Sequence, residues 1–192
     1  MRSQLCLPLF LTALVFYLNI SKINAQIDTI KSIHLDSMIW KKISDYRQSI
    51  GVRPLKKFET KKLREYSLMI AQRNLPKGVH PVHSDQAGER YNAECLFVSI
   101  RTGTNGKIYD EIYSDLMKGK YDRFATQCVE AWIASPSHQE AISDHDNVIV
   151  SIGTIITAEK MKDGTYKIHF VSYYHGLSDN PDHCQKCYAN IK

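Results

Sequence analysis

The sequence predicts an α+β protein in which helices pack on a central antiparallel sheet as a three-layer α-β-α sandwich. Helical spacing of apolar residues dominates the first two thirds of the chain, whereas two runs rich in β-branched and aromatic residues come near its end. The dipeptide Asp163-Gly164 between these runs predicts a hairpin, and hairpin strands are antiparallel. Helices followed by an antiparallel strand pair are typical of this class.

The N-terminus has the residue order of a secretory signal peptide. Arg2 precedes an apolar run from Leu5 to Leu18, and a polar stretch then leads to Ala25. A membrane anchor is the alternative, but a stable span needs about 20 apolar residues and this run ends at Asn19. We expect residues 1–25 to be removed, leaving no integral membrane segment in a protein that is secreted, periplasmic or held at the cell surface.

The charge of the chain gives little reason to expect a nucleic-acid partner. The 25 basic and 20 acidic residues give a net charge of +5, which falls to +3 when Arg2 and Lys22 leave with the signal peptide. Phosphate binding requires several converging Lys or Arg side chains. The densest basic stretch, between Lys56 and Arg64, is typical of a solvated helix face.

Apolar residues at helical spacing predict the helices in chain order. The first covers residues 33–50 and is stopped by Gly51, and the second is capped by Thr60 and ends before Pro76. Three later helical segments are predicted at 107–118, 121–134 and, with Ser137 as its cap, 137–142.

The remaining segments are read as loop or strand. Residues 78–88 contain histidine, proline and glycine with little apolar periodicity, which predicts a loop of the kind that often carries a site. Residues 91–100 are compatible with an extended or a helical piece. Residues 148–157 and 166–174 predict the two strands of the hairpin, and the tail after them is irregular.

Four cysteines remain in the predicted mature chain, at Cys95, Cys128, Cys184 and Cys187. An even number in an exported protein favours disulfides, and the natural pairings are Cys95 with Cys128 and Cys184 with Cys187. Four cysteines nevertheless permit three connectivities. The C-terminal pair also has the spacing of a redox or metal motif, although its position in a polar tail favours a structural disulfide.

Several segments, taken in order, resemble the CAP superfamily, also called SCP domains (cysteine-rich secretory, antigen 5 and pathogenesis-related class 1 proteins), in its bacterial form. The segments that carry the resemblance are Asp45–Leu55, Leu63–Arg73, His83-Ser84, Ala93-Glu94-Cys95-Leu96, the Trp-x-x-Ser-Pro-x-His order within Glu130–His138, and Lys167–Tyr174. The resemblance implies a CAP-like domain over residues 26–177, followed by a tail, 178–192, that holds the second cysteine pair.

The resemblance also implies a central cleft into which two histidines and an acidic residue project. By position these residues are His83, Glu94 and His138, with His80 as the alternative to His83. In some relatives the histidines hold zinc or another divalent ion, and imidazole with carboxylate is a suitable ligand set for zinc. The sequence departs from the pattern of the family at two positions. No acidic residue follows Trp132 where many members have a second glutamate, and Cys95 replaces the usual asparagine.

Three functions follow as expectations. The first is a binding module with a metal-competent cleft that takes a lipid, sterol or peptide ligand. The second is a metal-assisted hydrolase in which Glu94 is the general base, although His-Glu-x-x-His is absent from the sequence. The third is a structural or interaction protein in which the cleft residues only support the fold. The sequence leaves the oligomeric state open.

Overall fold

The computed structural model describes residues 26–57, 61–75, 92–104 and 106–178. In chain order its elements are β1 (Gln26–Ile30), α1 (Ile33–Ser49), β2 (Lys56–Lys57), α2 (Lys61–Arg73), β3 (Asn92–Gly103), α3 (Lys107–Met117), α4 (Asp122–Ala134), α5 (Pro136–Ser143), β4 (Asn147–Lys160) and β5 (Tyr166–Ser178). Among these residues, no helix has both the length and the apolar character needed to cross a bilayer.

The strands form one sheet in the order β1-β4-β5-β3, with the short β2 beside β4. The β4–β5 hairpin occupies the centre and turns at Gly164, whose φ of 81° favours glycine. Strand β3 pairs with β5 along its whole length, from Asn92 opposite Leu177 to Gly103 opposite Tyr166. These pairs are antiparallel, whereas β2 runs parallel to β4. The α+β class predicted from the sequence is therefore confirmed.

The sheet separates two cores, because successive side chains of a strand point to opposite faces. Helices α1, α3, α4 and α5 cover one face, where Ile39 and Trp132 are buried. Helix α2 covers the other face, where Ile70 packs in one cluster with Ile155 and Tyr173. The molecule is thus layered as helix, sheet and helix.

Helix α2 approaches the sheet closely at Gly153. A Cβ atom at this position would lie 2.4 Å from the backbone nitrogen of Leu68 and from the carbonyl carbon of Ser67. Beside it, the Oγ atoms of Ser67 and Ser151 are 2.9 Å apart and hydrogen-bonded, and both side chains are buried. The absence of a side chain at residue 153 therefore sets the distance between α2 and β4.

An ion pair joins α1 to α2 at the edge of the sheet. Strand β1 pairs with β4 from residue 156 onward and β2 pairs with it at 149 and 150, so neither covers residues 151–155 of β4. At this opening the Nε and Nη2 atoms of Arg64 each lie 2.9 Å from Oδ2 of Asp36. Thr154 of β4 also lies beside the Asp36 carboxylate.

The fully buried Arg47 fixes the C-terminal end of α5 against α1. Its guanidinium donates hydrogen bonds of 2.7 to 3.0 Å to the backbone carbonyl oxygens of Arg53, Ile142, Asp144 and Asn147. One side chain from α1 thereby satisfies carbonyls from the following loop, from α5 and from the start of β4.

The structure decides one assignment that the sequence left open, corrects one helix start and adds two strands. The sequence leaves residues 91–100 open between helix and strand, and the structure places 92–103 in β3. The last helix begins at Pro136 with Ser135 as its N-cap, instead of being capped by Ser137, because proline suits the first helical position. The short strands β1 and β2 are additional to the predicted elements. The Thr60 cap, the loop at 78–88 and the C-terminal tail lie outside the described residues.

Candidate functional site

Two of the three predicted cleft residues lie at neighbouring elements of the structure. Glu94 is near the start of β3 and is half-buried, and His138 is a half-buried residue of the first turn of α5. His83 and its alternative His80 fall outside the described residues. Among the described residues, Glu94 and His138 therefore define the site.

Helix α5 is brought to β3 by the sequence around Trp132. The indole of Trp132 is buried and meets the ring of Tyr174 edge-on, with centroids 6.1 Å apart. Ser135 then ends α4, and Pro136 opens α5 directly behind it. As a result the backbone carbonyl of His138 accepts a hydrogen bond from Sγ of Cys95, at 3.6 Å. His138 is thus anchored to the residue that follows Glu94.

Glu94 occupies the face of the sheet covered by α2. Its neighbour Cys95 belongs to the core under α1 and α4, and Leu96 belongs to the core under α2. Alternation along the strand therefore directs Glu94 to the same side as Leu96. Helix α5, in contrast, reaches Cys95 from the opposite side, so the two predicted ligands approach the start of β3 from different faces.

A histidine that the sequence analysis did not select lies beside Glu94. His175 of β5 is the antiparallel cross-strand partner of Glu94 and is fully buried. Its ring packs against two tyrosines, with centroids 5.8 Å from that of Tyr66 and 6.1 Å from that of Tyr173, and the two tyrosine centroids are 6.4 Å apart. The imidazole therefore has little freedom to move.

Burial also determines the charge of His175. Loss of hydration lowers the pKa of His175 to about 4, and the nearby negative charge of Glu94 opposes this shift only in part. The imidazole is consequently neutral at neutral pH, where it offers one N–H donor and one acceptor nitrogen. It can orient the carboxylate but does not supply a positive charge to it.

The polar row continues beyond His175 into the next strand. Ser151 of β4 is the other cross-strand partner of His175, and it bonds Ser67 of α2 as described above. Residues Ser151, His175 and Glu94 therefore stand side by side on three adjacent strands. Sequence reasoning missed this row because Ser151 and His175 follow Glu94 by 57 residues or more and no local motif links them. The signal that the sequence did offer was a histidine, His175, near the end of a run rich in aromatic and β-branched residues.

The predicted disulfide between Cys95 and Cys128 is corrected by the structure, in which both residues are buried free thiols. Each sulfur has a different partner: Cys95 contacts the His138 carbonyl, and Cys128 hydrogen-bonds Ser172. Burial raises the pKa of both thiols well above the ordinary value, so they remain protonated. Cys184 and Cys187 lie outside the described residues.

The chemistry available at the described site is that of a carboxylate beside a neutral imidazole, with a second histidine, His138, in the helix that contacts β3 from the opposite face. Across residues 26–57, 61–75, 92–104 and 106–178, no three His, Cys, Asp or Glu side chains are grouped so as to hold a metal ion. Glu94 and His138 are suitable zinc donors in type. A complete zinc site would therefore need a ligand from elsewhere in the chain, such as His83.

Comparison with known proteins gives little beyond this geometry. No protein-family model matches the chain, and no curated protein matches it. Among solved structures, an outer surface protein from Borrelia burgdorferi is similar over 80% of this chain and 100% of its own, with 16% sequence identity and a TM-score of 0.39.

Proposed function

We propose that this protein is an exported binding module of the CAP type, and that the region around Glu94 is its ligand site. The observation that carries the proposal is the pairing of the half-buried Glu94 with the fully buried, neutral His175 beneath two tyrosine rings. Burying an imidazole costs free energy that a phenyl ring of similar size would not. Such a group beside an acidic residue is better explained by a binding role than by packing alone.

The ligand that fits this chemistry best is a divalent cation, with zinc as the first choice. Because β3 is the edge strand of the sheet, an ion bound at this edge would be reached from both faces. Glu94 would supply a carboxylate oxygen from the α2 face, His138 an imidazole nitrogen from the α5 face, and His83 a further imidazole nitrogen. Bound zinc would act as a Lewis acid toward a further ligand. Residues that contact the ligating side chains would orient them, because each such contact restricts the motion of the ligating group.

A larger ligand would extend outward from this point over the surface of the protein. The resemblance described above suggests a lipid, sterol or peptide. The signal-peptide pattern of residues 1–25 supports a working place outside the cytoplasm.

Calorimetric titration of zinc into the metal-free protein tests the proposal. We expect saturable binding at one site, weakened at least about 10-fold in each of Glu94→Gln, His138→Ala and His83→Ala because each removes one ligand. His145→Ala is the matched control, since His145 is exposed in the loop after α5 and should bind as the wild type does. Absence of saturable binding by the wild-type protein, or equal binding by all variants, would contradict the proposal.

A further inference from the structure

We infer that His175 is a positioning residue of the ligand site, holding the Glu94 carboxylate in place from the buried side of the sheet. The inference rests on the proposed function, because it assigns a role within that same site. It starts from the register of the sheet, in which Glu94 and His175 are directly opposite each other. Cross-strand partners share a face, with their Cβ atoms about 5 Å apart.

The surroundings of His175 make it a rigid support. Its ring is tilted by 46° to that of Tyr66 and by 37° to that of Tyr173. Tyr66 belongs to α2 and Tyr173 to β5, so the imidazole is held by the helix layer as well as by the sheet. A side chain with a fixed ring can hold a neighbouring carboxylate in one orientation.

The opposite side of the imidazole faces a second fixed group. Ser151 is the partner of His175 on β4, and its hydroxyl is tied to Ser67 at 2.9 Å. Ser67, Ser151 and His175 are all buried. Ser151, His175 and Glu94 are therefore in register on three adjacent strands, α2 is bonded to the first of them through Ser67, and Glu94 is the most exposed of the three.

An apolar ring would fit at residue 175 as well as an imidazole does. The presence of a histidine there therefore points to a role for its ring nitrogens. Apart from the bonded pair Ser67 and Ser151, the buried side chains described under α2 include the apolar residues Leu96, Ile155 and Val171. Phenylalanine would keep a ring packed against Tyr66 and Tyr173 and would remove the two ring nitrogens. The variant His175→Phe therefore separates the packing role of the side chain from its polar role.

The first measurement is the ¹³C resonance of the Glu94 carboxyl group in the metal-free protein, identified by its loss in Glu94→Gln. We expect His175→Phe to shift this resonance while the thermal unfolding midpoint stays at or above that of the wild type. His175→Gln, which retains a donor and an acceptor, should move the resonance back toward the wild-type position. Ile155→Val is the control: it should lower the unfolding midpoint and leave the resonance unchanged.

The second measurement is zinc affinity in the same variants. Loss of a contact that orients a metal ligand weakens metal binding by roughly 10- to 100-fold, so we expect His175→Phe to fall in this range and His175→Gln to recover part of it. An unshifted Glu94 resonance in His175→Phe would overturn the inference. If the wild-type protein fails to bind zinc, the proposed metal function is wrong, and the resonance alone then decides the role of His175.

Discussion

At the scale of single residues, close approach of backbones determines which side chains the fold tolerates. Gly153 lies under α2, and the structure leaves no volume there for even one methyl group. Interiors are packed nearly as densely as organic crystals, so neighbouring backbone cannot simply move aside. The glycine is required by this contact and not by a turn.

We predict that Gly153→Ala destabilises the protein by about 1–3 kcal/mol, the usual cost of forcing a methyl group into a packed contact. The added carbon would meet backbone atoms of Ser67 and Leu68, which cannot rotate away. Gly106→Ala is the matched control, because its added carbon would lie 3.7 Å from the nearest atom, the backbone oxygen of Thr104. Urea unfolding measures both; equal stability of the two variants would contradict the prediction.

At the scale of elements, α5 is positioned by contacts at both ends. Its first residues follow Trp132 and contact β3, and its last carbonyls are bound by Arg47 of α1. A helix of 8 residues is too short to be stable alone. The location of His138 therefore depends on tertiary contacts that lie outside the helix.

We predict that Arg47→Met lowers the free energy of unfolding by about 3 kcal/mol or more, because it leaves buried carbonyl groups without donors. Arg47→Lys should recover only part of this loss, since an ammonium group cannot reach all four carbonyls that the guanidinium binds. Arg123→Met is the control, as Arg123 is exposed on α4 and should change stability by about 0.5 kcal/mol or less. Chemical denaturation followed by fluorescence gives all three values, and a wild-type-like Arg47→Met would refute the argument.

At the scale of the whole molecule, the two helical layers are connected across the sheet edge by Asp36 and Arg64. Burial raises the pKa of Asp36 to about 6, even though Arg64 and Thr154 favour its ionised form. Desolvation therefore outweighs the ion pair, since Arg64 is partly exposed and its charge is screened. The ionisation of Asp36, and hence the ion pair that connects the two layers, therefore changes with pH.

The sign of this effect follows from the direction of the shift. The pKa of Asp36 is 3.8 in the unfolded chain and about 6 in the folded protein. Its contribution to the free energy of unfolding is therefore most favourable below pH 3.8 and is lost as the pH rises through about 6. Asp36→Asn removes the titrating carboxyl group and, with it, this pH-dependent contribution to stability. We predict that the stability of Asp36→Asn relative to the wild type increases between pH 4 and pH 7, by at most about 3 kcal/mol.

Urea unfolding at a series of pH values tests this prediction. Asp122→Asn is the control, since Asp122 is exposed on α4 and should give a curve parallel to the wild type. A pH profile of Asp36→Asn that also runs parallel to the wild type would show that Asp36 titrates at its unfolded value.

Local sequence patterns were sufficient to predict the class of the fold and most of its helices. Apolar spacing predicted the helix at 33–50, found at Ile33–Ser49, and the dipeptide Asp163-Gly164 predicted the central hairpin. These features depend on local backbone preferences and on periodicity, which neighbouring residues encode directly. The choice of His138 as a candidate ligand came instead from the resemblance of the segment around Trp132 to the CAP family, and it stays a prediction.

The remaining features depend on tertiary packing. The row of Ser151, His175 and Glu94 arises from strand register, and the free thiols of Cys95 and Cys128 arise from the different partners that each sulfur meets. The edge strand β1 is defined by its pairing with a segment more than a hundred residues later. Such features depend on which distant side chains the packed sheet and helices bring together, and the composition and periodicity of a local segment carry no information about distant partners.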